Sequence, residues 1–76
     1  WLLNDDFTPM DFVVEILCTI FDKAPGIAEN ITMRVHRSGR AVAGIYSFDI
    51  AHSKAEKAMR RAREEQYPLR LEVTED

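Results

Sequence analysis

The sequence predicts an α+β fold, a small β-α-α-β-α-β domain in which three helices pack against a three-stranded antiparallel sheet. Short apolar or alternating segments near residues 1–3, 40–46 and 69–73 have the composition of strands. The stretches between them carry apolar residues at the spacing of an amphipathic helix. This order fits a small antiparallel sheet with helices on one face.

The first helix follows the apolar segment 1–3 and a polar turn at residues 4–7. Thr8 is predicted to be its N-cap, because a threonine hydroxyl can accept hydrogen bonds from the free N–H groups of a first turn. Pro9 suits the first helical position, and the Asp11 carboxylate suits the positive end of the helix. The apolar stripe then consists of Val13, Ile16, Leu17 and Ile20.

The first helix is expected to end near residues 22–23, because Pro25-Gly26 punctuates the chain and opens the second helix. Ser38-Gly39 is expected to end that helix, since glycine suits the left-handed position after a helix. The predicted apolar face of the second helix consists of Ile27, Ala28, Ile31 and Val35.

Residues 40–46 are predicted to form the second strand, and Gly44 within it indicates a close approach of the backbone to another group. Ser47 is predicted to cap the third helix. Pro68 ends the helical region, and the alternation across residues 69–73 predicts a half-buried third strand. The narrow apolar stripe of the third helix consists of Ala51, Ala55, Ala58, Met59 and Ala62.

Composition predicts one folded domain over residues 1–76, with 46% hydrophobic residues. The net charge of −3 argues against a nucleic-acid surface. The single cysteine, Cys18, cannot form an internal disulfide, which fits a reducing compartment. No apolar run reaches the length of about 18 residues needed to span a membrane. Because the chain begins inside an apolar segment, we expect the natural protein to extend further on that side.

Catalysis is not predicted. Cys18 lies in a helical stretch without a histidine nearby in the sequence, and the chain has no HxxxH, CxxC or glycine-rich phosphate loop. We therefore expect no enzyme activity, no metal site and no cofactor.

The turn containing Asn4, Asp5 and Asp6 allows two interpretations. Asn and Asp are common in turns because their side chains bond to the local backbone. The same amide and carboxylates could instead accept charge-assisted hydrogen bonds from an ammonium group. His36 is similarly ambiguous, because it could be a structural hydrogen-bonding residue at a helix end or an acceptor for an amine.

The run LLNDDFTPM at residues 2–10 resembles the signature of the ClpS family of bacterial adaptors, which bind proteins by their N-terminal residue. The similarity continues at Val35-His36 and Tyr67-Pro68-Leu69, and so covers nearly the whole chain. The resemblance implies an N-degron adaptor that binds a free N-terminal Leu, Phe, Tyr or Trp. It also implies delivery to the ClpAP protease in the bacterial cytoplasm, by a monomer without nucleic-acid or membrane partners.

The resemblance also implies the site residues. Asn4, Asp6 and His36 would hold the α-amino group of the substrate, and Asp5 would contact the peptide at the same mouth. Judged by spacing alone, the apolar members of the side-chain pocket are ordinary core residues. The pocket implied by the family consists of Leu2, Leu3, Thr8, Met10, Val13, Thr32, Val35 and Leu69.

Two positions of that pocket bear on specificity. Met10 matches the family's gatekeeper, which excludes β-branched first residues. Thr32 departs from the family, where methionine is common, so we expect a roomier or wetter wall and a weaker preference for Leu relative to the large aromatic residues.

The third helix presents a charged surface, which alone is most simply a solvated face. In ClpS proteins the positions matching Asp49 and Lys54 contact the N-terminal domain of the unfoldase ClpA, although His52 stands where an acidic residue is frequent. Two alternatives remain: a ClpS-like module of an N-degron ubiquitin ligase, and a non-catalytic interaction module of ribosomal-stalk-like topology.

Overall fold

The computed structural model describes residues 1–75. Its elements, in chain order, are β1 (Leu2–Leu3), α1 (Met10–Thr19), α2 (Pro25–Ser38), β2 (Arg40–Ala41), α3 (Phe48–Glu64) and β3 (Arg70–Leu71). The strands form one sheet in the order β2-β1-β3, and both neighbouring pairs are antiparallel. The predicted α+β class and the order of the elements are confirmed.

Strand β1 lies at the centre of the sheet, and its first leucine anchors the core. Leu2 pairs with Ala41 on one side and with Leu71 on the other. Its side chain is only 1% exposed, like those of Ile16 and Leu17 on α1. The alanine stripe of α3 is buried at positions 55, 58 and 62, as its spacing predicted. These small side chains let α3 lie close to the rest of the domain.

The second strand is shorter than predicted. Only Arg40–Ala41 is regular strand, whereas residues 42–47 have no regular secondary structure. A strand needs a hydrogen-bonded neighbour, and β1 offers only Leu2–Leu3. The predicted close approach at Gly44 is confirmed, since a Cβ there would lie 2.5 Å from the ring of Tyr46.

The start and the end of α1 also differ from the prediction. Thr8 is not the N-cap, because α1 begins at Met10 with Pro9 before it. The Thr8 hydroxyl instead donates to the Asp5 carboxylate at 2.9 Å. The Asp5 carboxylate also accepts the backbone N–H of Thr8, so Thr8 belongs to the turn before the helix and the helix begins after Pro9. At the other end α1 stops at Thr19, and Asp22 adopts a left-handed φ of 57°.

The predicted apolar face of α2 is correct except at its first member. Ala28 and Val35 are buried, but the Ile27 side chain is 52% exposed. Ile27 and the half-buried Ile31 are four residues apart and so lie on one flank of the helix. The centre of the buried face instead follows Ala28, Thr32 and Val35.

Replacing Gly39 by alanine should lower the free energy of unfolding by about 1–2 kcal/mol, because Gly39 ends α2 with a φ of 88° that costs other residues about this much. Gly26 is the matched control, since it lies within α2 and a Cβ there would meet nothing within 4 Å. Gly26→Ala should therefore leave stability unchanged or raise it by up to about 1 kcal/mol. Denaturant unfolding of both variants checks this, and equal effects would contradict it.

Candidate functional site

One cleft of about 180 Å³ opens between the turn after β1, the start of α1 and the last turns of α2. The structure brings all twelve predicted amine-site and pocket residues to it. The lining consists of Leu2, Leu3, Asn4, Asp5, Asp6, Thr8, Met10, Val13, Thr32, Val35, His36 and Leu69.

The floor of the cleft is buried and almost entirely apolar. Leu2 contributes from the central strand, Val13 from the first turns of α1 and Val35 from α2. Leu69, directly before β3, completes it. The side chains of these four residues are at most 9% exposed. A ligand group that enters the cleft therefore leaves water for a hydrocarbon surface, which favours an apolar group.

Thr32 is the one buried polar residue of the described chain, at 5% exposure. Its hydroxyl donates to the backbone carbonyl of Ala28 at 2.8 Å, one turn earlier in α2. The hydroxyl proton is therefore satisfied within the helix. The Thr32 side chain needs no water molecule as a hydrogen-bond acceptor for its hydroxyl.

The rim of the cleft, defined as Asn4, Asp5, Asp6 and His36, is polar. Asn4, Asp6 and His36 are exposed, and Asp5 is half-buried. Among residues 1–75, no other side chain or backbone group forms a hydrogen bond with the side chains of Asn4, Asp6 or His36. An amide, a carboxylate and an imidazole are thus available for a ligand at the edge of an apolar floor.

Asp5 behaves differently from the rest of the rim. Its Oδ1 atom accepts the backbone N–H of Phe7 at 2.9 Å and that of Thr8 at 2.7 Å. Its Oδ2 atom accepts the Thr8 hydroxyl at 2.9 Å. These three hydrogen bonds to the Asp5 carboxylate hold the turn between β1 and α1 in its conformation.

A backbone hydrogen bond joins the two chain segments that supply the rim. The N–H of Asn4 donates to the carbonyl of Gly39 at 2.9 Å, and Gly39 lies three residues after His36. The turn after β1 is therefore held against the C-terminal end of α2. Gly39 was predicted only as a helix terminator, and no sequence signal indicated this second role.

A second cavity, of about 140 Å³, lies near Trp1, Phe21 and Tyr46 and has Glu72 as its charged lining residue. It lacks the combination of amide, paired carboxylates and imidazole found on the rim. Within residues 1–75, no group of three or more His, Cys, Asp or Glu side chains is arranged to hold a metal ion. The cleft is thus the stronger candidate for a ligand site.

The two residues assigned to unfoldase contact lie at the start of α3. Asp49 is exposed in its first turn. The Lys54 ammonium donates to the carbonyl of Ile20 at 2.7 Å and lies 3.4 Å from the Asp22 carboxylate. A lysine side chain close to the C-terminal end of a helix stabilises the free carbonyls there. Lys54, which reaches Ile20 from α3, therefore also supports the C-terminal end of α1. The assignment of both residues to a partner surface stays a prediction.

The helices of the described chain are amphipathic and moderate in length. Among residues 1–75, none is both long enough and apolar enough to cross a membrane.

The structure is a small α+β domain with a cleft that joins an apolar floor to a polar rim. Comparison with known proteins gives the family of the chain. The family model described as "ATP-dependent Clp protease adaptor protein ClpS" matches residues 1–72. The chain belongs to the ClpS family, and the resemblance predicted from the sequence is confirmed.

Relatives named ATP-dependent Clp protease adapter protein ClpS match nearly the whole chain. The protein from Acetivibrio thermocellus is 52% identical over 68 residues, which cover 90% of this chain and 69% of the relative. The protein from Treponema denticola is 47% identical over 72 residues, covering 95% of this chain and 71% of the relative.

A solved structure, Agrobacterium tumefaciens ClpS2 bound to L-phenylalaninamide, has a similar fold with a TM-score of 0.88. It is 38% identical, and the match covers 91% of this chain and 83% of that one.

Proposed function

We propose that this protein is an N-degron adaptor. It binds proteins whose free N-terminal residue is Leu, Phe, Tyr or Trp and delivers them to the ClpAP protease, without making or breaking a bond itself. The observation that carries this proposal is the cleft, which joins a buried apolar floor to a rim of free amide, carboxylate and imidazole groups in a chain of the ClpS family. L-phenylalaninamide, the ligand of the similar Agrobacterium protein, combines a free amine with an aromatic side chain.

The cleft is large enough for one such side chain. Its volume of about 180 Å³ exceeds the roughly 150 Å³ of an apolar cavity that accommodates benzene. Burying a Phe or Leu side chain fully contributes about 1.5–3 kcal/mol. A first residue that fills the cleft would therefore gain much more from burial than alanine would.

The rim supplies the second part of the affinity. The α-amino group of a peptide is an ammonium with three donors, and Asn4, Asp6 and His36 can supply three acceptors. Hydrogen bonds to charged groups contribute about 1.5–3 kcal/mol each. Together with side-chain burial, this supports micromolar or tighter binding after the cost of association.

The remaining steps of the proposal concern the partner and the surroundings. Asp49 and Lys54, at the start of α3, would contact the N-terminal domain of ClpA. We propose that the adaptor works as a monomer in the bacterial cytoplasm, with no nucleic acid or membrane as a partner.

Peptides that differ only in residue one test the proposal. Phe, Trp and Leu peptides should bind with a micromolar or lower Kd. The Ala peptide should bind at least about tenfold more weakly, since each buried CH₂ contributes about 0.8 kcal/mol. The Ile peptide should also bind at least about tenfold more weakly, because its branched Cβ would meet the Met10 side chain at the entrance. Met10→Ala is the matched variant, because Met10 is 43% exposed and its truncation should widen the entrance at little cost to folding. This variant should gain affinity for the Ile peptide. Equal binding of Phe and Ala peptides would instead favour a general interaction module of ribosomal-stalk-like topology.

A further inference from the structure

The rim contains two adjacent carboxylates whose surroundings differ. Asp5 is half-buried and accepts three hydrogen bonds from its own turn, whereas Asp6 is exposed and accepts none from residues 1–75. A carboxylate has about four acceptor positions, so the turn already occupies most of those on Asp5. The two residues are therefore not equivalent as ligands for a cation.

We propose that Asp5 is a positioning residue. It holds the turn between β1 and α1 in the conformation that presents Asn4 and Asp6 to the substrate ammonium. The negative charge that binds this ammonium is that of Asp6 and not that of Asp5. This inference rests on the proposed function of the cleft and assigns separate roles to the two carboxylates.

The hydrogen bonds show how Asp5 would exert this effect. The backbone N–H groups of Phe7 and Thr8 precede α1, so no helical carbonyl is available to accept from them. Asp5 accepts from both of them and from the Thr8 hydroxyl. Asp6 and Phe7 lie in the chain segment that these hydrogen bonds close between Asp5 and Thr8. The bonds therefore limit the conformations of the backbone that carries the Asp6 carboxylate. Thr8 also lines the cleft, so the same contacts fix one of its walls.

Asparagine variants separate the two roles. In Asp5→Asn the side-chain oxygen can still accept both backbone N–H bonds, and its NH₂ group can donate to the Thr8 hydroxyl. This variant should bind a Phe peptide within about fivefold of the natural sequence, whereas Asp5→Ala should lose about thirtyfold or more. Asp6→Asn keeps the shape of the rim but loses the charge, and should lose about twentyfold.

Salt dependence gives a readout that a purely structural role would not change. Binding of the ammonium to a carboxylate weakens as salt screens the charges. Asp6→Asn should flatten this dependence, and Asp5→Asn should retain it. If Asp5→Asn loses as much affinity as Asp6→Asn and also flattens the salt dependence, Asp5 binds the ammonium directly and the inference is wrong. If Asp5→Ala does not fold, the comparison of Asp5→Asn with Asp6→Asn still shows which of the two carboxylates binds the ammonium.

Amide hydrogen exchange tests the inference in the free protein. The Phe7 and Thr8 amides should exchange faster in Asp5→Ala, but near the natural rate in Asp5→Asn and Asp6→Asn. If the natural chain binds no Phe peptide, the proposed function fails, while this exchange pattern still reports whether Asp5 holds the turn. Unchanged exchange in Asp5→Ala would overturn the positioning role even if peptide binding is intact.

Discussion

Acetylating the α-amino group of a Phe peptide should weaken its binding by at least about a hundredfold. Acetylation removes the positive charge and two of the three donors that Asn4, Asp6 and His36 would satisfy. Losing two charge-assisted hydrogen bonds at about 1.5–3 kcal/mol each accounts for this factor, since about 1.4 kcal/mol is tenfold. Titration calorimetry on the free and acetylated peptides measures it.

The control is a peptide acetylated on an internal lysine, which should bind like the unmodified peptide. Combining acetylation with Asp6→Asn gives a sharper result. If the carboxylate acts on the ammonium, Asp6→Asn should weaken the free-amine peptide but leave the residual binding of the acetylated peptide unchanged. A loss below about threefold on acetylation would mean that the rim does not recognise the amine and that side-chain burial supplies nearly all the affinity.

The sequence predicted the elements of this fold better than their limits. The helices were predictable because apolar periodicity and the Pro25 and Gly39 signals agree with each other. Strand lengths were not, because the extent of β2 depends on how many residues β1 places beside it. The start of α1 was missed for a related reason. A cap prediction from Thr8 cannot include the turn around Asp5, whose carboxylate accepts both the N–H and the hydroxyl of Thr8, so that the helix begins only after Pro9.

The site was predictable in a different way. Periodicity places Leu2, Val13 and Val35 on buried faces, but it does not distinguish a packed core position from the floor of a cleft. Resemblance to the ClpS family selected these residues, and the structure brings them to one cleft. One of the two interpretations of this turn included side-chain bonds to the local backbone, and Asp5 makes them. The sequence does not say which of Asn4, Asp5 and Asp6 makes these bonds, because that depends on the path of the turn.

Thr32→Met should change which first residues the protein prefers. Thr32 lines the cleft and is buried, and methionine has a longer and more flexible side chain that fills irregular gaps. A Leu peptide should bind about three- to tenfold more tightly to the variant, because each additional buried CH₂ contributes about 0.8 kcal/mol. Phe and Trp peptides should lose a similar factor, because methionine occupies volume that their rings need.

Thr32→Val is the matched control, since valine keeps the shape of threonine and removes only the hydroxyl. That hydroxyl is already bonded to the Ala28 carbonyl, so the valine variant should rank Leu, Phe and Trp peptides as the natural sequence does. A shift in Thr32→Val would mean that the hydroxyl, or water bound to it, takes part in selection. An unchanged ranking in Thr32→Met would mean that this wall does not contact the guest side chain. Selectivity would then depend on the entrance at Met10, because that residue also lines the cleft and remains partly exposed.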